Sequence, residues 1–398
     1  MPERTHLFSD LRGESRQIYN LIQKKGPLAK NDLVVLSGLK PGTLNNVMAP
    51  LEKRKLIISS ETGESTGGRK PSLFSVNPKA FYLAGVDISR TYTQVVVVDP
   101  SFKIVFQRQF PMDESFTPQK TAEIAAIAIK SFFTKPPGKS GGLLGIGLGV
   151  VGPLDREKGL ILNPVHFPAP GWRRVAIGEL FRMHLSCPVY LDNGANAAVL
   201  AEYLYGAGKG FQNIVYFNCG MGIRTGIISA GHIVRSMNNA EDAFGHMIID
   251  VDGELCGCGN YGCIECYASI PSVVRRFLSE MKKGVHTSVT TPLGELNYED
   301  ICRAAEGQDE LACGILKSAA AILGSGIANC INLLNPGLLI LSGPLIRSSA
   351  LFYDVARDTA LKKCLFKEEK VSFAKGGCYQ EQAIATGAAA MVLEEMLM

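Results

Sequence analysis

Two segments of this chain repeat one pattern, in which an apolar, β-branched run enters a short turn and leaves it as a second apolar run. The first is YLAGVDISRTYTQVVVVD at residues 82–99, and the second is NIVYFNCGMGIRTGIISAGHIV at residues 213–234. Such runs are typical of paired, buried β-strands. Each segment is followed by a helical stretch and then by another buried strand, LLGIGLGVVGPLD and GLLILSGPLI respectively. The repeat predicts two similar α/β lobes with a cleft between them.

The whole chain has an ordinary globular composition, because 46% of its 398 residues are apolar and 20% are charged. This composition excludes disordered and fibrous proteins. No apolar run reaches the roughly 18 residues that a membrane-spanning helix needs. The N-terminal segment MPERTHLFSDLRGESRQ also lacks the apolar core of a signal peptide. We therefore expect a soluble, cytoplasmic protein of two or three domains that has no membrane partner.

The positive charge of the chain is concentrated at its N-terminal end. Residues 1–80 hold 13 Lys/Arg and 7 Asp/Glu, a net charge of +6, whereas the remaining 318 residues have a net charge of −2. A basic segment on a near-neutral body indicates contact with a polyanion. An uneven distribution that arose by chance is the alternative.

This basic head contains the pattern of a winged helix-turn-helix. Helical spacing in SRQIYNLIQKKG, NDLVVLSG and KPGTLNNVMAPLEKRK predicts three short helices, and Gly38 supplies the turn before the third. LIISS and SLFSV read as strands on either side of a Gly-rich loop, ETGESTGGRKP, which would be the wing. The candidate DNA-contacting residues are Thr43, Asn45 and Asn46 of the recognition helix, and Arg69 and Lys70 of the wing.

One feature of the head complicates this interpretation, and one alternative to it stays open. Pro50 falls inside the third helix, where proline is expected to kink the helix or end it. A small helical packing domain with a solvated basic loop would show similar patterns.

The body resembles the ROK family, which contains bacterial sugar kinases and sugar-responsive repressors. The residues that carry the resemblance are GHMIIDVDGELCGCGNYGCIE, NPVHFPAPGW, NGANAAVLAE and NLLNPGLLILSGPL. The resemblance implies an α/β fold, with an N-terminal winged helix-turn-helix followed by a two-lobed actin-like (ribonuclease-H-like) ATPase fold. We expect a DNA-binding domain at residues 1–80, a first lobe at 81–198 plus 378–398, and a second lobe at 199–377.

Four cysteines fall within the eleven residues CGCGNYGCIEC. Cys256, Cys258 and Cys263 follow the pattern C-x-C-x4-C, and His246 lies ten residues upstream. Three thiolates and one imidazole make a closed tetrahedral zinc set, and the resemblance implies the same four ligands. Such a site has no open position for water, so we expect structural zinc. Cys266 is left over, as a packed thiol or a spare ligand, and a disulfide within the cluster is the alternative.

The sequence departs from the family pattern where a sugar kinase needs its catalytic groups. The resemblance assigns the catalytic base to an aspartate in N-D-x-N, and here Gly194 occupies that position. Asp192 is the one nearby substitute. Both phosphate loops are also altered, at residues 87–91 (DISRT) and 220–224 (GMGIR). We expect a sensor without catalysis and no bound ATP.

The sugar pocket implied by the family is partly retained. The candidate ligand-binding residues are Asn163, Trp172, Asn193, His246 and Glu265. The glutamate of the family's E-x-G-H motif is replaced by Ala243, and Glu241 is a candidate substitute. Arg90 and Arg224 either bind an anionic effector or fill the vacant phosphate sites. His166 either lines the pocket or has no role.

Together these features predict a ligand-responsive transcriptional regulator, most simply a repressor, of carbohydrate-related genes. Its partners would be operator DNA, a sugar or related effector, and further copies of itself in a homodimer or homotetramer. Two other functions remain open. One is an ATP-dependent sugar kinase with a DNA-binding appendage, and the other is a DNA-bound scaffold that has lost its ligand.

Overall fold

The structure is a computed structural model that describes residues 7–60, 72–235, 243–365 and 371–398. It divides into two compact units. One contains the chain up to Tyr205 together with Ile384–Met398, and the other is Gly206–Ala383. The first unit therefore holds both the head, residues 7–80, and the first lobe, residues 81–205 with 384–398. The second unit is the second lobe. The three-domain division expected from the sequence stays a prediction.

The head is a small helical domain with a three-stranded antiparallel sheet. Its elements are α1 (Gly13–Lys25), β1 (Leu28–Ala29), α2 (Lys30–Ser37), α3 (Pro41–Lys53), β2 (Ile57–Ser60) and β3 (Leu73–Val76). The strand order is β1-β3-β2, with β3 pairing to both neighbours. The two-residue strand β1 was not expected from the sequence, because two residues show no alternation. The segment 61–71 lies outside the described residues.

The sequence predicts that Pro50 kinks or ends the third helix. The prediction that the helix ends there is wrong. α3 continues for three residues beyond Pro50, to Lys53. Proline lacks the N–H that would bond to the carbonyl one turn earlier. The turn after Pro50 still forms, because the Arg54 N–H donates to the Pro50 carbonyl at 3.1 Å. Burial of Val47, Met48 and Leu51 against the head core holds this turn in place.

The first lobe is built on a mixed sheet with the strand order β10-β7-β4-β5-β6. Its elements are β4 (Tyr82–Ile88), β5 (Tyr92–Val98), β6 (Ile104–Pro111), α4 (Pro118–Phe132), β7 (Leu143–Val150), β8 (Leu154–Asp155), β9 (Leu160–Ile161), α5 (Ile177–His184), β10 (Val189–Asn193), α6 (Gly194–Tyr205) and the C-terminal helix (Ala383–Leu397). β4, β5 and β6 are antiparallel, whereas β7 and β10 add in parallel.

The second lobe repeats this arrangement, with the strand order β13-β12-β11-β14-β15. Its elements are β11 (Ile214–Cys219), β12 (Ile223–Ser229), β13 (His232–Ile233), α7 (Glu265–Ala268), α8 (Ile270–Lys282), α9 (Tyr298–Glu306), α10 (Glu310–Leu334), β14 (Leu338–Ser342), α11 (Pro344–Ser348), α12 (Ala350–Lys363) and β15 (Ser372–Lys375). Again three antiparallel strands are followed by two parallel ones. Both lobes thus match the duplicated pattern of the sequence.

Glycines in the first sheet let the C-terminal helix approach very closely. A Cβ on Gly85 of β4 would lie 1.7 Å from the carbonyl oxygen of Ala385, and a Cβ on Gly147 of β7 would lie 1.7 Å from that of Ala388. No side chain fits at either position. The helix backbone is therefore seated directly on the sheet, and the chain end is an integral layer of the first lobe.

Helix α10 has the length and composition of a membrane-spanning segment, and it is the one such helix among the described residues. Half of its most apolar window is buried. Leu316, Leu323, Ile327 and Ile331 of α10 belong to the core of the second lobe. A central core helix meets the same criteria of length and composition.

Candidate functional site

A cysteine- and glycine-rich loop of the second lobe brings the predicted metal ligands together. His246 ends a single-turn 3₁₀ helix, and the following loop folds back so that Ile248 pairs with Cys263 in an antiparallel bridge. Gly262 makes this fold possible. Its φ is +67°, and a Cβ there would lie 1.5 Å from the carbonyl oxygen of Asp250. Only glycine allows the two arms of the loop to approach so closely.

The four candidate ligand atoms have the spacing of a tetrahedral zinc site. One atom each from His246, Cys256, Cys258 and Cys263 lies within 4.8 Å of all the others. Nδ1 of His246 is 3.5 Å from Sγ of Cys256, and the Sγ atoms of Cys258 and Cys263 are 3.8 Å apart. Zinc bonds of about 2.3 Å to sulfur and about 2.0–2.1 Å to nitrogen imply ligand separations of about 3.5–3.8 Å. The donor set and its geometry therefore fit zinc.

The neighbouring thiols differ in their tendency to ionise. Desolvation raises the pKa of Cys258, but hydrogen bonds from the Asn260 N–H and from neighbouring thiols outweigh this effect and lower the pKa below its usual range. Burial, together with a hydrogen bond to Cys256, raises the pKa of Cys266 to about 12. Cys266 is therefore a buried, protonated thiol beside the cluster.

Glu265 lies beside the second glycine-rich turn. Its Oε2 accepts a hydrogen bond from the Ile223 N–H at 2.9 Å. A Cβ on Gly222 would lie 2.6 Å from that oxygen, and a Cβ on Gly245 would lie 3.4 Å from it. Glycine at both positions lets the carboxylate rest against backbone. Because Gly245 directly precedes His246, the structure brings the two predicted ligand-binding residues of the second lobe close together.

The first-lobe candidate Asn193 lies at the junction of β10 and α6. Its Oδ1 accepts a hydrogen bond from the Ala195 N–H at 2.9 Å, whereas its Nδ2 is buried without a hydrogen-bond partner among the described residues. The carboxylate of Asp192 is fully buried, and its Oδ1 accepts from the Asn193 N–H and from Nδ2 of Asn196 at 2.8 and 3.1 Å. The side-chain amide of Asn193 is thus held in one orientation. Its Nδ2 is left as a donor for an acceptor atom of a ligand.

Gly194, at the position the family resemblance assigns to a catalytic aspartate, borders the C-terminal helix. A Cβ on Gly194 would lie 3.3 and 3.4 Å from two side-chain carbons of Ile384. Contacts this short require the neighbour to move. An apolar side chain therefore stands beside the position where a carboxylate would project.

The segment from Asn163 to Trp172 forms an irregular loop in the first lobe. Asn163 is exposed, whereas Trp172 is 3% exposed and belongs to the lobe core. The indole ring stacks on Phe167 with 4.4 Å between centroids, and its N–H donates to the carbonyl of Phe116 at 3.1 Å. Trp172 therefore anchors the loop, and its one polar atom is already engaged.

Arg90 replaces a glycine of the family's first phosphate loop and is 7% exposed. Its Nε donates to the carbonyl of Val165 at 2.8 Å. This bond holds the Asn163–Trp172 loop next to a residue with strained backbone, since His166 has φ +67°. Arg224 lies on β12 and is half-buried. The candidate residue Glu241 lies outside the described residues.

The recognition helix α3 presents its candidate residues to solvent. Thr43, Asn45 and Asn46 are exposed, and they lie in the first turns of the helix, whose opposite face is buried. This is the arrangement needed to reach base edges in a major groove. The predicted wing residues Arg69 and Lys70 lie outside the described residues.

Sequence reasoning missed a set of contacts between the head and the first lobe. Gln23 of α1 is 9% exposed and donates to the carbonyl of Pro100 at 3.3 Å. The hydroxyl of Tyr205, at the end of α6, donates to Oε1 of Gln23 at 3.1 Å. The Tyr205 ring is stacked on Phe102 with 3.8 Å between centroids. These residues are far apart in sequence and form no local motif.

Ion pairs continue this contact to the end of the chain and to the base of α6. Lys24 of α1 lies 3.0 Å from a carboxylate oxygen of Glu394 in the C-terminal helix. The next residue, Glu395, is 3.3 Å from Arg156. Arg156 is also 3.6 Å from the buried carboxylate of Asp192. Glu394 and Glu395 are adjacent in the C-terminal helix. Their ion pairs therefore connect helix α1 with Asp192, the residue that precedes Asn193.

Comparison with known proteins agrees with this combination of head and body. The profile of the ROK family matches residues 83–395. The xylose repressor of Bacillus subtilis (strain 168) is 31% identical over 327 residues, which cover 82% of this chain and 81% of that protein. Most of the repressor is therefore represented here.

Solved structures share the fold to different extents. A ROK family transcriptional regulator described as a homologue of the Escherichia coli MLC protein has a TM-score of 0.79 and 24% identity, and the match covers 97% of this chain and 96% of that chain. A ROK family glucokinase from Streptomyces griseus has a TM-score of 0.64 and 26% identity, and covers 78% of this chain and 98% of its own. The fold is thus a winged helix-turn-helix followed by two actin-like lobes, and the chain belongs to the ROK family.

Proposed function

We propose that this protein is a sugar-responsive DNA-binding transcriptional repressor. Its body, which is related to sugar kinases, would bind a ligand without phosphorylating it. The observation that carries the proposal is the winged helix-turn-helix joined to a ROK body in which Gly194, packed against Ile384, stands at the position of the family's catalytic aspartate. The exposed start of α3 supports contact with DNA through Thr43, Asn45 and Asn46. Arg69 and Lys70 would add phosphate or minor-groove contacts from the wing.

The absence of kinase activity is part of the proposal. Glycine cannot accept a proton, and the loss of a general base typically lowers a rate by about 10²–10⁴-fold. The buried carboxylate of Asp192 is held by Asn193, Asn196 and Arg156, which opposes its use as a substitute base. Nε of Arg90 donates to the carbonyl of Val165 in the Asn163–Trp172 loop. We therefore expect no ATP site.

The metal we propose is zinc with a structural role. When bound, zinc would join His246 to Cys256, Cys258 and Cys263 and hold the loop rigid. All four positions are filled by protein, so no site is left for a reacting water. The protein's own contribution is to fix His246 directly after Gly245, close to the carboxylate of Glu265.

The effector we propose is a neutral, hydroxyl-rich molecule of the sugar class. The candidates for its hydrogen bonds in the first lobe are Asn163 and Asn193, and Trp172 would hold the loop that carries Asn163. The candidates of the second lobe are His246 and Glu265. The buried Nδ2 of Asn193 supports this role, because an unpaired buried donor is costly unless a ligand satisfies it. D-xylose is the first compound to test, since a relative is named a xylose repressor.

We further propose that the protein acts in the cytoplasm as a homodimer or homotetramer on a palindromic operator. Two-fold symmetric operators match two-fold symmetric proteins. Ligand would change operator affinity only if it binds one state of the protein more tightly than the other.

The test is binding of the purified full-length protein to the DNA upstream of its own gene. The titration uses competitor DNA at a fixed salt concentration near 0.15 M, because electrostatic affinity depends on salt. It is repeated with D-xylose, other aldoses, amino sugars and sugar phosphates. Specific binding that one of these compounds shifts is the expected result.

Other outcomes separate the rival functions. Specific DNA binding that no compound alters would favour a ligand-free scaffold. Sugar-dependent release of ADP from ATP by the same preparation would establish the kinase instead. Failure to bind this DNA or any sequence from a random library would refute the DNA-binding function.

A further inference from the structure

The recognition helix presents Asn45 next to a lysine from the preceding helix. Nζ of Lys30, the first residue of α2, donates a hydrogen bond to Oδ1 of Asn45 at 2.8 Å. The same ammonium lies 5.6 Å from the centroid of the Phe74 ring. Lys30 and Asn45 are both exposed. The pair therefore faces solvent on the side of the head that carries Thr43 and Asn46.

The backbone around Lys30 is fixed by the small sheet of the head. β1 pairs with β3 so that Leu28 lies opposite Phe74 and Ala29 lies opposite Leu73. Lys30 follows directly as the first residue of α2. Phe74 is only 4% exposed, so the ring that the ammonium faces is part of the head core. The position of the lysine thus depends on ordered secondary structure.

Helix stability does not account for a lysine at this position. The N-terminus of a helix carries partial positive charge, so a cation in its first turn is unfavourable. Asp32 already supplies the favourable group, since its carboxylate accepts a hydrogen bond from the Ala29 N–H at 3.0 Å. The hydrogen bond with Asn45 is the favourable interaction that Lys30 makes at this end of α2.

The pair changes what Asn45 can read on a base. An asparagine alone reads adenine with two bonds, because its oxygen accepts from N6 and its nitrogen donates to N7. Here the oxygen already accepts a bond from Lys30, and the ammonium places a positive charge where the adenine amino group would approach. The oxygen keeps a second lone pair, but the adjacent ammonium disfavours the approach of an amino group to it, whereas Nδ2 of Asn45 and the remaining protons of Lys30 are donors that face DNA. Guanine, with acceptors at N7 and O6, is the base that matches them.

We propose that Lys30 is a specificity-determining residue that turns Asn45 into a reader of guanine. This inference rests on the proposed DNA-binding function and assigns part of its sequence preference. Lys30 is not itself required for the fold of α3. Its effect is confined to the base pair that Asn45 contacts in each half-site.

A plain phosphate contact by Lys30 would behave differently. Removal of a phosphate-binding lysine weakens binding to all sequences about equally, and lowers the slope of affinity against salt by about one. Removal of a specificity residue changes the order of preference at one position. The two roles are therefore separable by measurement.

The experiment selects binding sites from a randomised DNA library with the full-length protein at fixed salt. Four proteins are compared: wild type, Asn45→Ala, Lys30→Met and the control Lys53→Met, which removes one exposed charge at the far end of α3. Asn45→Ala identifies the position that Asn45 reads, as the one whose preference disappears. Affinities for guanine and adenine at that position are then measured directly. Circular dichroism and melting temperature check that each variant is folded.

We expect wild type and Lys53→Met to prefer guanine over adenine by about 10-fold at the Asn45 position, as one good base contact provides. Lys30→Met should reduce this preference to about twofold or reverse it, with other positions unchanged. A uniform loss of affinity with guanine retained would overturn the inference and leave the DNA-binding function standing. Adenine at the Asn45 position in wild type would overturn it as well. Enrichment of no sequence by wild type would refute the proposed function itself.

Discussion

Gly194 and Ile384 leave no proton acceptor at the position of the family's catalytic aspartate. Glycine has no group that accepts a proton, and a Cβ at this position would already press on two carbons of Ile384. We predict that Gly194→Asp does not create a sugar kinase and lowers the free energy of unfolding by about 1–3 kcal/mol through overpacking. A coupled ADP-release assay with D-xylose and D-glucose, beside a urea unfolding curve, checks both parts. Sugar-dependent turnover in the variant would show that the site lacked only the carboxylate.

The cysteine cluster offers a matched pair of substitutions. Cys258→Ala removes one of four ligands and is expected to lose about one zinc per chain and to lower the melting temperature of the second lobe. Cys266→Ala removes a neighbouring thiol that is not among the four and should keep its zinc. Elemental analysis of the two purified proteins makes the comparison. Equal zinc content in both variants would contradict the ligand assignment.

Helix α10 begins at an aspartate that ties a separate loop to it. Oδ1 of Asp309 accepts from the Ala312 N–H at 2.8 Å, and Oδ2 accepts from the N–H and hydroxyl of Ser288 and from the Thr287 hydroxyl. Desolvation raises the pKa of Asp309, but these hydrogen bonds outweigh it and lower the pKa below its usual value. The folded protein therefore favours the ionised form. The resulting stability is complete above the unfolded pKa of about 3.9 and is lost as pH falls through the folded pKa.

Asp309→Asn tests this cap. An amide has one oxygen, so it can keep the bond from the Ala312 N–H but not also accept the Ser288 N–H, and the variant should unfold more easily by about 1–2 kcal/mol at pH 7. The difference from wild type should stay constant between about pH 5 and 8 and shrink below about pH 4, where the wild-type carboxylate is also protonated. Chemical unfolding followed at several pH values gives the result. A difference that grows as the pH falls would contradict the assignment.

Elements with a strong local pattern could be predicted from the sequence, and elements defined by distant contacts could not. The paired strands of each lobe appear as long apolar runs, and α1 and α3 appear as helical spacing with a glycine or proline at one end. β1 was missed because it exists only through its pairing with β3. Gly85 and Gly147 were read as strand residues, although the helix seated on them lies about 240–300 residues further along the chain.

The candidate site also contains residues that a local pattern predicts and residues whose roles depend on distant contacts. The grouping of the four candidate ligands could be predicted because three of them fall within eight residues and the fourth is ten residues away. The bond from Arg90 to Val165 and the packing of Ile384 against Gly194 depend on tertiary structure, so the sequence left their roles open. The wing residues Arg69 and Lys70 stay predictions.

At the scale of the molecule, the head and the first lobe belong to one compact unit. Helix α6 begins next to Asn193 and ends at Tyr205, whose hydroxyl donates to Gln23 of the head. We predict that Tyr205→Phe, which keeps the ring stacked on Phe102, lowers the free energy of unfolding by about 1 kcal/mol. It should also speed hydrogen exchange at the amides of α1 more than elsewhere. Unchanged exchange in α1, measured by mass spectrometry, would show that the bond does not hold the head.

The contacts of α1 with the lobe set a limit on how this protein can be redesigned. A head cut out at residue 80 and exchanged for another would separate Gln23 from Tyr205 and Lys24 from Glu394. Such a chimera would lose the hydrogen bond from Tyr205 to Gln23 and the ion pair between Glu394 and Lys24. In the part of the chain that the structure describes, no hydrogen bond or ion pair joins Thr43, Asn45 or Asn46 of α3 to the lobe. New DNA targets are better sought by replacing those few side chains, with α1 left as native scaffold.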